Sequence, residues 1–285
     1  MSQRLLITGA AGFTGRHLSL QAASRGVEAY ELKSCLTDTA ALAAELTGQI
    51  FDYVVHLAAI SAVTHADEEE LYRVNLFGTL NLMKALAESG HIPEKILVAS
   101  SANIYGNSEL SPVSETILPG PVNHYAMSKL SMEYMLRTVM DTFPIVIVRP
   151  FNYTGVWHDD RFVIPKIVAH FAAGENGIEL GNTSVEREFN DVRTVVKVYF
   201  ELLEKGIAGE VYNVCSGNPH SLDEVLEQLR ELTGHDIAVT NNPAFMRANE
   251  LQTLYGDPSK LEACIGEVSH PSLKETLSWM LAAHV

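Results

Sequence analysis

Tyr125 and Lys129 stand four positions apart in the segment Tyr125-Ala126-Met127-Ser128-Lys129. On a helix that spacing sets a phenol and an ammonium side by side. A neighbouring cation favours phenolate, so the pair is expected to pull the tyrosine below its ordinary value of about 10 and let it exchange a proton near neutral pH. Ser101 closes the run Lys95 to Ser100 and offers a hydroxyl that can hold a carbonyl oxygen. A Tyr and a Lys one turn apart are usually a core ring and a surface charge; the weight comes from a second signal upstream. Thr8-Gly9-Ala10-Ala11-Gly12-Phe13-Thr14-Gly15 follows the first apolar run directly. Its spacing is GxxGxxG and not GxGxxG, but glycines between a strand and a helix allow a tight turn and a close approach to a pyrophosphate, whose charge meets the helix N-terminal amides. Gly9, Gly12, Phe13 and Gly15 are therefore candidate dinucleotide contacts. About 20 residues on, where an acidic residue normally holds the adenosine ribose, Glu31 and Lys33 lie two positions apart. Lys33 and Ser34 suit a 2'-phosphate, which favours NADPH, with NADH as the other candidate.

Elements of known type must carry these groups. Arg4 to Thr8, Tyr53 to Leu57, Lys95 to Ser100 and Ile145 to Val148 read as buried strands. Thr14 to Arg25, Ala66 to Glu88 and Val122 to Met140 carry apolar residues at three- and four-residue spacing, as sheet-covering helices do. The alternation predicts an α/β fold, a doubly wound parallel sheet of Rossmann type, with a smaller C-terminal α/β lobe for substrate. The expected domains are 1–150 for the dinucleotide and 151–285 for the second lobe, with a strand near 210–215 returning to the main sheet. The few residues between Glu31 and Asp38 predict an abbreviated helix and third strand. Of 285 residues, 47% are hydrophobic and 19% charged, enough apolar content for a sizeable core. A formal charge of -15 repels a nucleic-acid backbone, and no apolar run is long enough to span a membrane. Three cysteines without CxxC spacing argue against a disulfide framework and against a zinc site, so no metal is expected and the compartment reads as the cytoplasm.

Together with His56-Leu57-Ala58-Ala59, Asn75 before Gly78-Thr79-Leu80-Asn81, Ser100 to Gly106, Arg149-Pro150-Phe151-Asn152 and Arg187-Glu188-Phe189, these motifs make the chain resemble the extended branch of the short-chain dehydrogenase/reductase superfamily nearly end to end. The resemblance implies that Tyr125 is the general acid or base, that Lys129 tunes it and contacts the nicotinamide ribose, and that Ser101 orients the substrate oxygen. It adds Leu57, Ala58, Ala59 and Asn75 to the cofactor side, with Asn75 steadying a proton path. His56 reads equally as a satisfied core histidine. Substrates of the branch are nucleotide diphosphate sugars. By the same resemblance Arg187 and Arg247 face the pyrophosphate, as guanidinium groups suit, while Asn103, Asn152 and Glu250 are further substrate contacts. The helices around 66–88 and 122–140 resemble the pair through which the branch forms homodimers.

Dehydratases of the branch carry an added acid two positions beyond the catalytic Ser or Thr. Asn103 stands there, and an amide cannot move the required proton. The stretches Glu210 to Gly217 and Asn242 to Lys260 are most similar to bacterial GDP-4-keto-6-deoxy-mannose reductases, which implies NAD(P)H-dependent reduction at C4 of a GDP-linked hexose or heptose in deoxysugar biosynthesis. A C4 epimerase that retains NAD is the alternative, and a nucleotide-sensing protein without catalysis a third reading. Glu188, His124 and Tyr153 depart from the reductase pattern, each on the expected substrate side.

Overall fold

The computed structural model describes residues 2–61, 67–245 and 251–284. The first half runs β1 (Arg4–Thr8), α1 (Phe13–Ser24), β2 (Glu28–Glu31), α2 (Thr39–Leu46), β3 (Tyr53–His56), α3 (Glu68–Tyr72), a π-helical turn (Arg73–Gly78), α4 (Thr79–Glu88), β4 (Lys95–Ala99), a 3-10 turn (Ala102–Tyr105), α5 (His124–Arg137) and β5 (Ile145–Pro150). Then follow β6 (Tyr153–Thr154), α6 (Val163–Ala172), β7 (Gly177–Leu180), β8 (Glu186–Glu188), β9 (Asn190–Asp191), α7 (Val192–Lys205), β10 (Val211–Val214), β11 (Pro219–Ser221), α8 (Leu222–Thr233), β12 (Ala238–Asn241), β13 (Thr253–Leu254), α9 (Ser259–Ile265) and α10 (Leu273–Ala282).

Six parallel strands pair in the order β10-β5-β4-β3-β1-β2. Apart from the edge strand β2, which has no buried residue, alternate residues of the strands bury into opposite layers, which is why their sequences are largely apolar. Leu5, Ile7, Val55, Leu97, Val146 and Val148 pack on α1 and α7. Leu6, Val54, Ile96, Val98, Ile145 and Ile147 pack on α2, α4 and α5. Strand order reverses between β1 and β3, the switch point where an open α/β sheet forms its crevice. The chain leaves β1 through the glycine turn and β3 through Leu57-Ala58, so both segments meet there. The second lobe has its own core, built on α6, α8 and α10 around Ile164, Ile167, Val168, Phe171, Val225, Leu229 and Leu277.

The helix expected over 66–88 is divided. It begins at Glu68, capped by Asp67, while Ala66 lies outside the described residues, and it passes through one π-helical turn before resuming at Thr79. Asn75 sits in that turn with its side chain bonded outward to Ile60 and to Ser128 of α5, and the Thr79 hydroxyl bonds back to the Asn75 carbonyl. Periodicity alone cannot show such an interruption, because the apolar face continues on either side of it.

Candidate active site

The glycine turn is built for close approach. Gly9 has φ +74°, and a Cβ there would lie 2.8 Å from the Ala58 nitrogen. A Cβ on Gly15 would fall 2.3 Å from the Gly9 carbonyl oxygen, so glycine alone allows α1 to start against the turn. Gly12 is the N-cap of α1, and no side chain caps that end. The Thr8 hydroxyl accepts from the amides of Leu57 and Ala58 at 3.2 and 3.1 Å and meets the His56 ring at 2.6 Å, which locks the β1 and β3 turns together. His56 is buried with its second nitrogen 2.8 Å from the Thr79 hydroxyl, and burial holds its pKa down at about 3. It is a neutral, satisfied core histidine.

The catalytic candidates gather beyond the carboxyl ends of β4 and β5. Asn123 caps α5 by accepting from the Ala126 amide at 2.8 Å, and this starts the helix at His124, one residue ahead of Tyr125. Tyr125, Lys129 and Glu133 follow at one-turn intervals, all buried. The Ser101 hydroxyl lies beside the Tyr125 phenol and lowers its pKa. Ser101 accepts in turn from the backbone and side-chain amides of Asn103, at 3.2 and 3.1 Å, which leaves its own proton free for the phenol oxygen. Asn103 thus orients Ser101 directly, a role its sequence position did not suggest. Lys129 donates to the Ala99 carbonyl at 2.8 Å. Asn75 reaches Ser128 at 3.0 Å, and Ser128 reaches the Tyr125 carbonyl at 2.8 Å, so Asn75 anchors the backbone of the tyrosine.

One expectation is overturned. Lys129 does not lower Tyr125: burial drives the phenol up to about 12, and the nearby Ser101 hydroxyl offsets only part of this. Burial also presses Lys129 down to about 8. Desolvation sets both groups, and the attraction that the four-residue spacing suggested contributes to neither. Tyr125 is consequently a protonated phenol at neutral pH, the form of a general acid.

Around this centre, Tyr153 sits behind the glycine turn, its hydroxyl 2.8 Å from that of Thr14 and its ring stacked on Phe13. His158 stacks on the same Phe13 with ring centres 4.3 Å apart. Phe13 therefore belongs to an aromatic wall. Glu188 is a buried clasp: it accepts from the amides of Gly256 and Ser216 at 2.7 and 2.8 Å and from the Asn190 side chain at 2.7 Å, tying β8 to two loops. His124 bridges Tyr72 and Glu68 of α3, at 2.9 and 3.1 Å. Arg187 donates to the carbonyls of Glu186 and Leu251, at 2.7 and 3.0 Å, and the Asn152 carbonyl accepts from the Asn190 amide at 2.9 Å while the residue stays exposed. Arg247 and Glu250 lie outside the described residues. Lys33 is exposed, and its backbone amide and that of Ser34 donate to the Glu45 carboxylate at 3.0 and 2.7 Å.

These residues fit a nicotinamide dinucleotide. A cradle that any Cβ would fill opens at the switch point, no side chain caps the helix end beside it, and the buried Ser100 hydroxyl at the end of β4 has no hydrogen-bond partner.

Residues 5–215 match the NAD dependent epimerase/dehydratase family. A GDP-6-deoxy-D-talose 4-dehydrogenase of Aggregatibacter actinomycetemcomitans is 33% identical, with 92% of this chain and 91% of that protein aligned. A GDP-6-deoxy-D-mannose reductase of Pseudomonas aeruginosa is 32% identical over 99% of this chain and 97% of that protein. The solved structure of RMD from Pseudomonas aeruginosa complexed with NADPH superposes with a TM-score of 0.92 at 32% identity, covering 99% of both chains. A Rossmann-type sheet, a glycine turn at its switch point and a Ser-Tyr-Lys centre at its carboxyl edge thus coincide with family-wide similarity: the chain belongs to the NAD dependent epimerase/dehydratase family.

Proposed function

We propose that this protein is an NAD(P)H-dependent oxidoreductase that reduces the C4 keto group of a GDP-4-keto-6-deoxy sugar. The observation that carries the reading is the buried Tyr125 phenol beside a Ser101 hydroxyl oriented by Asn103, one helical turn from the buried Lys129. The two curated relatives named above support the substrate class, since both names specify GDP-6-deoxy sugars, and the NADPH complex of the Pseudomonas protein supports the cofactor.

In this mechanism the nicotinamide coenzyme supplies the hydride for C4. The chain's residues do the rest. Ser101, its lone pairs engaged by Asn103, turns its proton to the carbonyl oxygen of the sugar. Tyr125 delivers its proton to the same oxygen as negative charge develops, because an alkoxide is more basic than a phenolate even at the raised value of about 12. Lys129 stabilises the phenolate left behind. Gly9, Gly12, Phe13 and Gly15, with Leu57, Ala58 and Ala59 opposite, would hold the coenzyme, and Asn75 would keep the Tyr125 backbone in place. Arg187, Arg247, Asn103, Asn152 and Glu250 are proposed on the sugar-nucleotide side.

The functional unit is proposed to be a homodimer formed through the faces of the π-helical turn, α4 and α5, where Phe77 of the turn and Met127 and Tyr134 of α5 expose large apolar side chains. The unpaired thiols Cys35, Cys215 and Cys264 fit a reducing cytoplasm.

The test is incubation with GDP- and UDP-linked 4-keto-6-deoxy sugars and either reduced coenzyme. One coenzyme is expected to be oxidised per GDP-sugar, and NMR of the product would give the C4 configuration, the centre at which mannose and talose differ. Interconversion of C4 epimers without net coenzyme oxidation would replace the reductase reading with the epimerase one.

A further inference from the structure

Beyond the Tyr125-Lys129 pair, α5 carries Glu133 one turn further on, with 3% of its surface exposed. Arg149, at the end of β5 and 5% exposed, donates to both carboxylate oxygens of Glu133, at 3.0 and 2.7 Å. Its third nitrogen donates to the Tyr105 hydroxyl at 2.8 Å, and Tyr105 donates to Asn213 of β10 at 2.8 Å. Asn213 continues to the Val113 carbonyl and the Glu115 carboxylate. The clasp therefore joins α5, the 3-10 turn that follows Ser101, and two strands of the sheet. Two desolvated charges are an expensive way to hold a helix, because apolar groups of the same size would often do so equally well. A charge at this position calls for an electrostatic role.

The geometry points to Glu133 as a positioning residue for proton transfer: clasped by Arg149, it keeps a fixed negative charge one helical turn beyond Lys129 and so holds the amine beside Tyr125 in its cationic form. This rests on the proposed reaction only in assigning the amine to Tyr125; the electrostatic link to Lys129 stands independently of substrate. The surroundings of the amine leave Glu133 as its main counter-charge. On α5 the other titratable neighbour is the protonated Tyr125, and from β3 the ring of His56 is neutral. The Ala99 carbonyl at the end of β4 accepts from the amine, and Asn75 of the π-helical turn carries no charge. The Arg149 guanidinium is taken up by both Glu133 oxygens and the Tyr105 hydroxyl. The charges of α3 and the adjoining turn, Glu68 and Arg73, are on exposed side chains, as is His124. Burial works to discharge Lys129 and Glu133 opposes it.

The experiment is a pH titration of the Lys129 Nζ signal by 15N NMR in the full chain, assigned with Lys129→Arg. In the wild type the midpoint is expected at about 8. Glu133→Gln should move it down by about one pH unit. The double variant Glu133→Gln with Arg149→Met removes both buried charges, is expected to fold, and should move it the same way; it carries the test if the single variant does not fold. Tyr105→Phe breaks the clasp's hydrogen bond to β10 but keeps both charges, and should leave the midpoint in place. Turnover of a GDP-4-keto sugar by Glu133→Gln should fall about fivefold at pH 8 and less than about twofold at pH 6.5, following the cationic fraction. An unchanged midpoint in the folded Glu133 variants, or an equal shift in Tyr105→Phe, would overturn the inference. A wild type that shows the Glu133-dependent titration but reduces no 4-keto sugar would overturn the proposed reaction instead.

Discussion

At the scale of single residues the decisive balance is between desolvation and charge. Tyr125 and Lys129 stand one helical turn apart and each is buried, and burial disfavours phenolate and ammonium alike. The phenol is therefore held as an acid up to about 12, and the amine loses its charge through about 8. Reductive turnover should accordingly be flat at lower pH and decline as pH rises through about 8, because the cation that stabilises the emerging phenolate is present only below that value; a kcat profile from pH 6 to 9.5 checks it. Tyr125→Phe should lower turnover by at least about 100-fold while coenzyme binding, followed by fluorescence titration, is retained. Retained turnover in that variant would remove the proton donor from the mechanism.

At the scale of elements, the glycine turn and the loop after β2 are the two ends of the proposed coenzyme cradle. Gly15→Ala places a Cβ against the Gly9 carbonyl at 2.3 Å, and α1 cannot retreat without leaving the sheet. Coenzyme affinity should fall more than about tenfold, which corresponds to about 1.4 kcal/mol. At the other end, Glu45 of α2 occupies the amides of Lys33 and Ser34, the groups best placed for a 2'-phosphate. Burial opposes its ionisation, but the hydrogen bonds from Ser34, Lys33 and Tyr30 prevail and hold its carboxyl below the usual range. A carboxylate there repels a phosphate, so Glu45→Gln should raise the NADPH to NADH affinity ratio several-fold, and a ratio that falls would contradict this placement of the 2'-group.

For the molecule as a whole, the buried His56 and the half-buried His158 should make the fold acid-sensitive. Burial depresses His56 to about 3 and His158 to about 4, from 6.5 in the unfolded chain. The unfolded state then binds protons that the folded state refuses, so the stability these groups contribute is complete above about pH 6.5 and is lost as pH falls toward their folded values. His158→Phe keeps a ring against Phe13 and removes one titrating group; its melting temperature should fall less between pH 7 and pH 5 than that of the wild type. Assembly is tested at the same scale. Phe77→Glu with Tyr134→Glu should turn the proposed dimer into a monomer by light scattering, and an unchanged mass would locate the interface elsewhere.

Much of this molecule was legible in its residues. Buried parallel strands must be apolar on both faces, so Leu5 to Ile7, Val54-Val55 and Ile145 to Val148 declared themselves, and the turn from Gly9 to Gly15 marked the end of β1 because no other residue fits that geometry. The chemical types at Ser101, Tyr125 and Lys129 were equally plain. Tertiary structure alone decided their electrostatics, since a spacing of four residues specifies a distance but not the burial that sets each group's charge. It alone paired Glu133 with Arg149, Glu45 with the β2 loop and Asn103 with Ser101. Except for the last, these partners come from separate elements, and nothing local in the chain records which side chains the folded sheet will bring into contact.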